Sequence, residues 1–498
     1  MKNILILIFG IFLFQSCLED SGNYSYSALL PIEIDSSRVA GSYRVTQLDY
    51  LTVEPGVKQG ENDENVIYQW QILQEGNAPN PVTGQIVNEI VGRERKLHYK
   101  VVIPPGVYKL CFAATDKQNG VTETFIRPLS IESFAPAGLM VMHGDADSAD
   151  VSILVNDRII PGVDKDYVKH NLFFQTNGYR IPGTAARVHY VYNTHNVYVF
   201  TTGKEGGYRT SGSDLLVLNP YADMFTEPLK PGNIRFQTYD QWSYNDLLIN
   251  NGKLYFSPQS STTYNKFGVA CFGEEYDAAP FIATQLAWAY YGVVYDRLQK
   301  RFLYIDYNRL IKTFKEPGGS GVFNMNQVGK ELVYAEHGFG KKWYCVMKGD
   351  TDNSVYVCDF SVADDGNRGV GKYGATGSSE LGTANAYAVA NRGEILYYAT
   401  RTEVKQFNFD QNGTSVSRYQ LPDELIQAGY EITAMSVFKA TGHTNEGKLL
   451  YVGIYNSVTG DGKLMECPIV ETNGEVLVAR IKVYDGFKRI AHMSYKAK

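Results

Sequence analysis

The chain has 498 residues and a formal net charge of −6. That length exceeds one ordinary core and favours two domains, and the acidic balance argues against a nucleic-acid partner, which calls for a basic surface. Tyr (37), Phe (24) and Gly (47) are abundant. Aromatics suit pleated, half-buried strands and Gly suits turns, so the chain reads as all-β.

At the N-terminus, Lys2 supplies a positive charge and Ile4 to Phe14 form an apolar run broken by Gly10. The run is shorter than the roughly 20 residues that span a bilayer, and fits a signal-peptide core. Ser16-Cys17 closes it and resembles a bacterial lipobox, with Phe14 where Leu is usual. Residues 1–16 are then a signal peptide, and the Cys17 thiol carries the lipid, the chain's one link to a membrane. Leu18-Glu19-Asp20 resembles the surface-export signal of Bacteroidetes lipoproteins, which implies the outer membrane, facing the exterior.

From residue 17 to about 133, alternating segments Tyr43–Tyr50, Val66–Leu73, Leu97–Ile103, Gly106–Ala113 and Glu123–Glu132 are separated by turn-rich stretches. This is the pattern of a small antiparallel β-sandwich, with Trp70 as a core residue. Gly22-Asn23-Tyr24-Ser25-Tyr26, Pro105-Gly106-Val107-Tyr108-Lys109-Leu110 and Ala114-Thr115-Asp116 resemble a PKD-type Ig-like domain.

From about residue 134 to 498 a short hydrophobic motif recurs. Its copies are Leu139–Met142, Val197–Phe200, Lys253–Phe256, Phe302–Ile305, Trp343–Val346, Ile395–Tyr398 and Leu449–Val452, spaced by roughly 40 to 60 residues as in propeller blades. Inner strands are expected at Val188–Tyr192, Asp246–Asn250, Gly292–Tyr295, Glu331–Ala335, Ala384–Val389 and Ile432–Phe438. Arg489–Tyr495 would complete the first blade and close a seven-bladed β-propeller, which removes exposed sheet edges. A ring of six or eight blades, or two stacked sandwiches, stays open.

No GxSxG elbow or HExxH helix is present, and no residue is assigned a catalytic role. His189 and His195 flank an inner strand without forming a local metal clamp. Asp145, Asp147 and Asp150, and separately Asp350 and Asp352, place oxygens at alternating positions, so calcium is an open reading. Neither string ends in the bidentate Glu of an EF-hand loop, and Asp also caps turns; no cofactor is firm. Cys345 and Cys358 flank a turn symmetrically, which fits either a cross-hairpin disulfide or two small buried hydrophobes. Cys111, Cys271 and Cys467 read as unpaired core residues. Loops entering the inner strands and loops joining second to third strands share one propeller face. Trp242, Tyr244, Trp288, Tyr290, Tyr208, Arg209 and Tyr264 fall there as a ligand platform for sugar rings or peptide side chains, or as wedges between blades.

The lipobox, the PKD-like segment and the propeller-like remainder together resemble the PKD-like lipoproteins of Bacteroidetes. That resemblance implies an accessory surface protein of SusC/SusD (RagA/RagB)-type uptake loci. Such a protein binds oligosaccharide or peptide nutrients, docks onto the TonB-dependent transporter complex, or does both. The alternatives are a propeller-fold hydrolase or lyase acting on a surface polymer, and a structural adhesin.

Overall fold

The structure, a computed structural model, describes residues 31–59, 64–74, 76, 86–203, 205–227, 229, 232, 234–238, 245–258, 266–284, 291–316, 321–349, 354–360, 369–409 and 413–497. Cys17, Trp242, Tyr244, Tyr264, Trp288, Tyr290, Asp350 and Asp352 lie outside them. The fold is all-β, in two compact units, the second taking Thr46–Leu48 as well as the chain from Glu132 onward. Among the described residues no helix is long and apolar enough to cross a membrane.

In the first unit, Tyr43–Thr46, Thr122–Glu132, Gly106–Asp116, Val66–Gln74 and Asn88–Gly92 lie side by side in that order. Tyr50–Val53 pairs with Leu97–Lys100, and Ile32–Asp35 with Gly56–Gln59. Alternation decides which face is buried. In Gly106–Asp116, Tyr108, Leu110, Phe112 and Ala114 point inward. Trp70 is fully buried, with its ring 4.5 Å from Phe112 and 5.8 Å from Phe125, and its indole N–H donates to the Glu94 carbonyl at 2.9 Å. Tyr108 donates to the Pro104 carbonyl at 2.7 Å. The buried Asp116 carboxylate accepts from Gln59 (2.7 Å), the Gln118 N–H (2.8 Å) and Asn119 (2.6 Å), which pins the following turn. Trp70 is therefore the core residue the sequence suggests. Trp70→Ala is expected to lose about 3–5 kcal/mol from the lost contacts and the cavity left behind. A urea titration checks this, and a loss under about 1 kcal/mol would show that the site had refilled.

The second unit contains, among the described residues, seven sheets in sequence, antiparallel except that Phe272–Gly273 pairs parallel with Leu310–Lys312 in the fourth. Their innermost strands are Arg489–Lys496, Thr184–Val191, Arg235–Thr238, Ala278–Ala283, Glu331–His337, Ala386–Val389 and Tyr430–Val437. Each touches the next, and the last returns to the first, so the strands form a closed ring. The apolar cores lie between neighbouring blades. Phe281 and Tyr295 of the fourth blade meet Trp343 and Met347 of the fifth, and Tyr344 and Val346 on the fifth blade's other face meet Tyr398 and Phe407 of the sixth. A middle strand is thus buried on both faces, and Leu396–Ala399 is buried along its whole length. This is why the recurring motif is a continuous apolar run rather than an alternating one.

Closure joins distant segments. Arg489–Lys496 pairs with Gly138–Gly144, Met140 opposite Ser494. The Lys496 ammonium donates to the carbonyls of Ala135 (2.8 Å) and Pro136 (3.3 Å). Blades one and seven are also latched by the buried Glu466, which accepts from Asn156 and from Arg158, both at 2.8 Å. Gly453 permits close packing there, because a Cβ at that position would sit 2.9 Å from the Ile490 Cβ.

Two blades differ from the sequence reading. Asp246–Asn250 and Gly292–Tyr295 lie in second strands, and Lys253–Phe256 and Phe302–Ile305 in third strands. The true inner strands there, Arg235–Thr238 and Ala278–Ala283, carry Arg and Gln or small residues with a Pro, and so lack a hydrophobic signature.

Cys345 and Cys358 face one another in the register, as the hairpin symmetry suggests, but both are free thiols, and the disulfide reading gives way to the buried-hydrophobe one. They sit in the apolar seam between blades four and five. Cys111 is not a core residue; its strand turns it to the half-exposed face of the sandwich. Of the described cysteines, only Cys111 is expected to react with a thiol reagent before unfolding, since buried thiols are inert. Thiol counting with and without urea tests this, and a mass change on reduction would reveal a Cys345–Cys358 bond.

Candidate functional site

The innermost strands of all seven blades enclose a cavity of about 920 Å³ on the propeller axis. Its mouth is ringed by turns that join first to second strands, including Gly338–Lys341 and Asn391–Arg392. That is the opposite end of each blade from the loops joining second to third strands, beside which Tyr208 falls.

β-Bulges shape the lining. The register slips between Ala185 and Arg187, between Leu332 and Tyr334, and between Ile432 and Ala434; in the first blade it slips opposite Met142 and His143, where His492 and Ile490 are their partners. Arg187, Tyr334, Ala434 and His492 each stand beside such a slip and line the cavity. A bulge adds a residue without a cross-strand partner and re-aims the side chains after it.

One carboxylate organises the fifth, sixth and seventh blades. Glu336 accepts from the Lys439 ammonium at 2.7 Å on one oxygen. Its other oxygen accepts from the Tyr334 hydroxyl and from the Val389 N–H, both at 2.7 Å. Lys439 also donates to the His337 carbonyl at 2.6 Å. Tyr334 stacks on Tyr387 with centroids 4.8 Å apart. Burial first, and the Glu336 charge next, raise the Tyr334 hydroxyl far above the ordinary phenol range, so it stays a donor. Glu446 at the mouth is held by Arg392 and Asn391, both at 2.7 Å.

The cations opposite have no such partner. Among the described residues, neither Arg187 nor Arg235 makes an ion pair or a side-chain hydrogen bond. Burial, and then the neighbouring Arg235 charge, pull Arg187 down to about 9, and burial lowers Arg235 as well. Both line open space yet lie deep in the protein, where confined water solvates them less well than bulk water does. The indole N–H of Trp343, Nε2 of His337 and Nδ1 of His492 also lack partners among the described residues.

Burial holds His189 down to about 3, with the Arg187 charge adding to it, and His337 to about 4, with Lys439 adding to it. His492 lies well below the usual range for the same reason, with Arg187 next in effect. In the unfolded chain these rings titrate near 6.5. Below that value the unfolded state binds protons that the folded state refuses, so stability is lost as pH falls toward about 4. The urea midpoint is expected to be lower at pH 5 than at pH 7, with His189→Gln and His492→Gln flattening the difference. An equal midpoint at both pH values would show fully hydrated imidazoles.

The described residues among those singled out in the sequence lie elsewhere. Tyr208 packs its ring 5.4 Å from Phe173, and Arg209 donates to Asn219; neither lines the cavity. Both belong to the fabric of the second blade. Asp145 is a turn cap that accepts from the N–H groups of Asp147 (3.1 Å) and Ser148 (2.8 Å). Asp150 is buried and accepts from the N–H groups of Val151 (2.8 Å) and Phe173 (3.0 Å). With Asp145 and Asp150 turned to separate backbone donors, Asp147 is left alone, and no metal-holding cluster occurs among the described residues. Ser152 lies 2.7 Å from His143 Nε2, but His143 Nδ1 accepts from the Lys488 N–H. The ring proton therefore sits on Nε2, and His143 donates to Ser152 instead of drawing its proton, which a serine nucleophile requires.

The cavity residues Arg187, Arg235, Tyr334, Glu336, Lys439 and His492 were not anticipated. A charged residue on a strand that should pack tightly against its neighbours was the available signal.

Comparison with known proteins bears on the first third of the chain. Residues 17–184 match the PKD-like family. The PKD-like match covers the sandwich and runs on through the first strands of blade one to the start of Thr184–Val191. No curated protein matches. A quinonprotein alcohol dehydrogenase-like protein from Bacteroides thetaiotaomicron is 12% identical over 93% of this chain and 99% of its own, with a TM-score of 0.48. A DUF4784 family protein from Bacteroides caccae is 7% identical over 95% of this chain and 100% of its own, with a TM-score of 0.31. Likeness of that degree carries no argument about activity.

Proposed function

We propose that the protein is a surface-exposed outer-membrane lipoprotein, tethered through Cys17, that captures an oligosaccharide or peptide nutrient at the propeller channel. In the same reading it works beside a SusC/SusD-type transporter complex. The channel carries the proposal. It is a cavity of about 920 Å³ whose lining includes the Arg187 and Arg235 guanidinium groups, neither with an ion-pair or side-chain hydrogen-bond partner among the described residues, which is how a binding site differs from a packed core. Capture rather than turnover is favoured because Glu336 and Glu446, the carboxylates lining the cavity among the described residues, are both committed to cations, and burial holds the His337 and His492 rings too low to take up a proton readily. A hydrolase or lyase needs an acid or base free to move a proton.

Calorimetric screening of the purified protein over polysaccharides and peptide digests tests capture. At least one ligand is expected to bind, and Trp343→Ala is expected to weaken it. Pull-down of the tagged protein from outer membranes tests the partner, and recovery without any transporter component would remove docking from the reading. Cys17→Ser is expected to abolish labelling by a fatty-acid analogue, and persistent labelling would overturn the anchor.

A further inference from the structure

We propose that the channel recognises an oxyanion carried on a saccharide, a uronate carboxylate or a sulfate ester, with Arg187 and Arg235 as its two cationic contacts. This inference rests on the channel being the capture site, and it names what is captured.

Across a chain of net −6, the described residues of the cavity lining gather five cationic side chains against two carboxylates. Both carboxylates are answered, Glu336 by Lys439 and Glu446 by Arg392, each at 2.7 Å. The surplus falls on Lys341, exposed at the mouth, and deeper in on Arg187 and Arg235, which belong to adjacent inner strands close enough for Arg187 to feel the Arg235 charge. Two like charges held together in a confined space, with no carboxylate in contact, are a cost to the fold. The His189, His337 and His492 rings stay neutral there and add no positive charge of their own. A bound oxyanion would relieve the repulsion, because a guanidinium presents a planar fork of donors that matches carboxylate and sulfate oxygens. Low-dielectric walls focus the field of such a site toward its mouth and draw anions in.

The neighbours suggest what bears the anion. Asn385, Ser436 and Ser494 line the same cavity, together with Trp343. Short hydroxyl and amide groups suit a ring carrying several hydroxyls. Phe339, half-exposed at the mouth, offers an aromatic face of the kind sugar rings stack on.

The test is calorimetry on the purified protein with four probes of similar length: an oligogalacturonate, a sulfated galactan oligomer, a neutral galactan oligomer and a Glu-rich peptide. Binding of the first or second at least about tenfold tighter than the neutral oligomer is expected, and the two arms tell carboxylate from sulfate. Arg187→Gln and Arg235→Gln should each weaken that binding by about tenfold or more, the size of a lost charge-assisted hydrogen bond. Both variants should melt at or above the wild-type temperature, because each removes a repulsion; a clear drop in melting temperature would make the arginines structural and overturn the proposal. Independently of any variant, sodium sulfate should raise the wild-type melting temperature more than it raises that of the Arg187→Gln/Arg235→Gln double variant. Equal binding of neutral and acidic oligomers, unchanged binding by the variants, or preference for the peptide would overturn the oxyanion inference and leave the capture site standing. Absence of binding by every saccharide and peptide would overturn both.

Discussion

Everything in the larger unit depends on the pairing of Arg489–Lys496 with Gly138–Gly144. A propeller blade buries both faces of its middle strands, and each face is covered by the next blade. Without the returning strand the first blade would lose its inner strand. Blades seven and two would then lose the neighbour that fills the seam where Tyr451, Leu464, Met140 and Val188 meet. The polar fastenings fall at the same junction. Glu466 receives Asn156 and Arg158 across it, and Lys496 ties down the Ala135 and Pro136 carbonyls. A buried carboxylate is costly unless its oxygens are fully used, and Glu466 also accepts from Tyr451 at 3.2 Å.

The same geometry creates the channel. Inner strands packed on their flanks leave one side facing the axis, and seven of them enclose a space that their side chains do not fill. Bulges then choose what faces it. Placing the irregularities on inner strands leaves the middle strands regular, so the inter-blade cores keep their close packing while the lining departs from it. The charge distribution follows suit. The acid groups of the described lining are neutralised where blades five to seven meet, and the cations deep in the channel that lack an ion-pair partner come from blades two and three.

The chain's own letters reveal the architecture better than the site. Doubly buried strands such as Leu396–Ala399 are apolar runs of a kind that seldom arises otherwise, so the repeat is visible, and the closing strand shares the pattern of Ile432–Phe438. Inner strands facing water inside a ring have the same polarity as strands facing water outside. Arg235–Thr238 and the Ala-rich Ala278–Ala283 therefore carry little that marks them as inner. Arg187 and Arg235 become neighbours only because consecutive blades place their first strands side by side, a relation with no fixed spacing in sequence. The acidic turn around Asp145 misleads for a different reason: alternating oxygens serve a backbone cap as readily as a cation, and only the hydrogen bonds tell them apart.

The closing strand also bears on how the molecule can be made. Loop-closure entropy makes contacts between remote parts of a chain slow to form, and this contact joins the two ends of the propeller sequence. The intermediate blades can pair from hairpins close in sequence, while the first sheet waits for its final strand. Until Arg489–Lys496 arrives, Gly138–Gly144 presents an open edge of backbone donors and acceptors to any other unpaired strand. The interval between synthesis of the first blade and arrival of the last strand is then the period in which the chain is most prone to pairing with a second copy of itself.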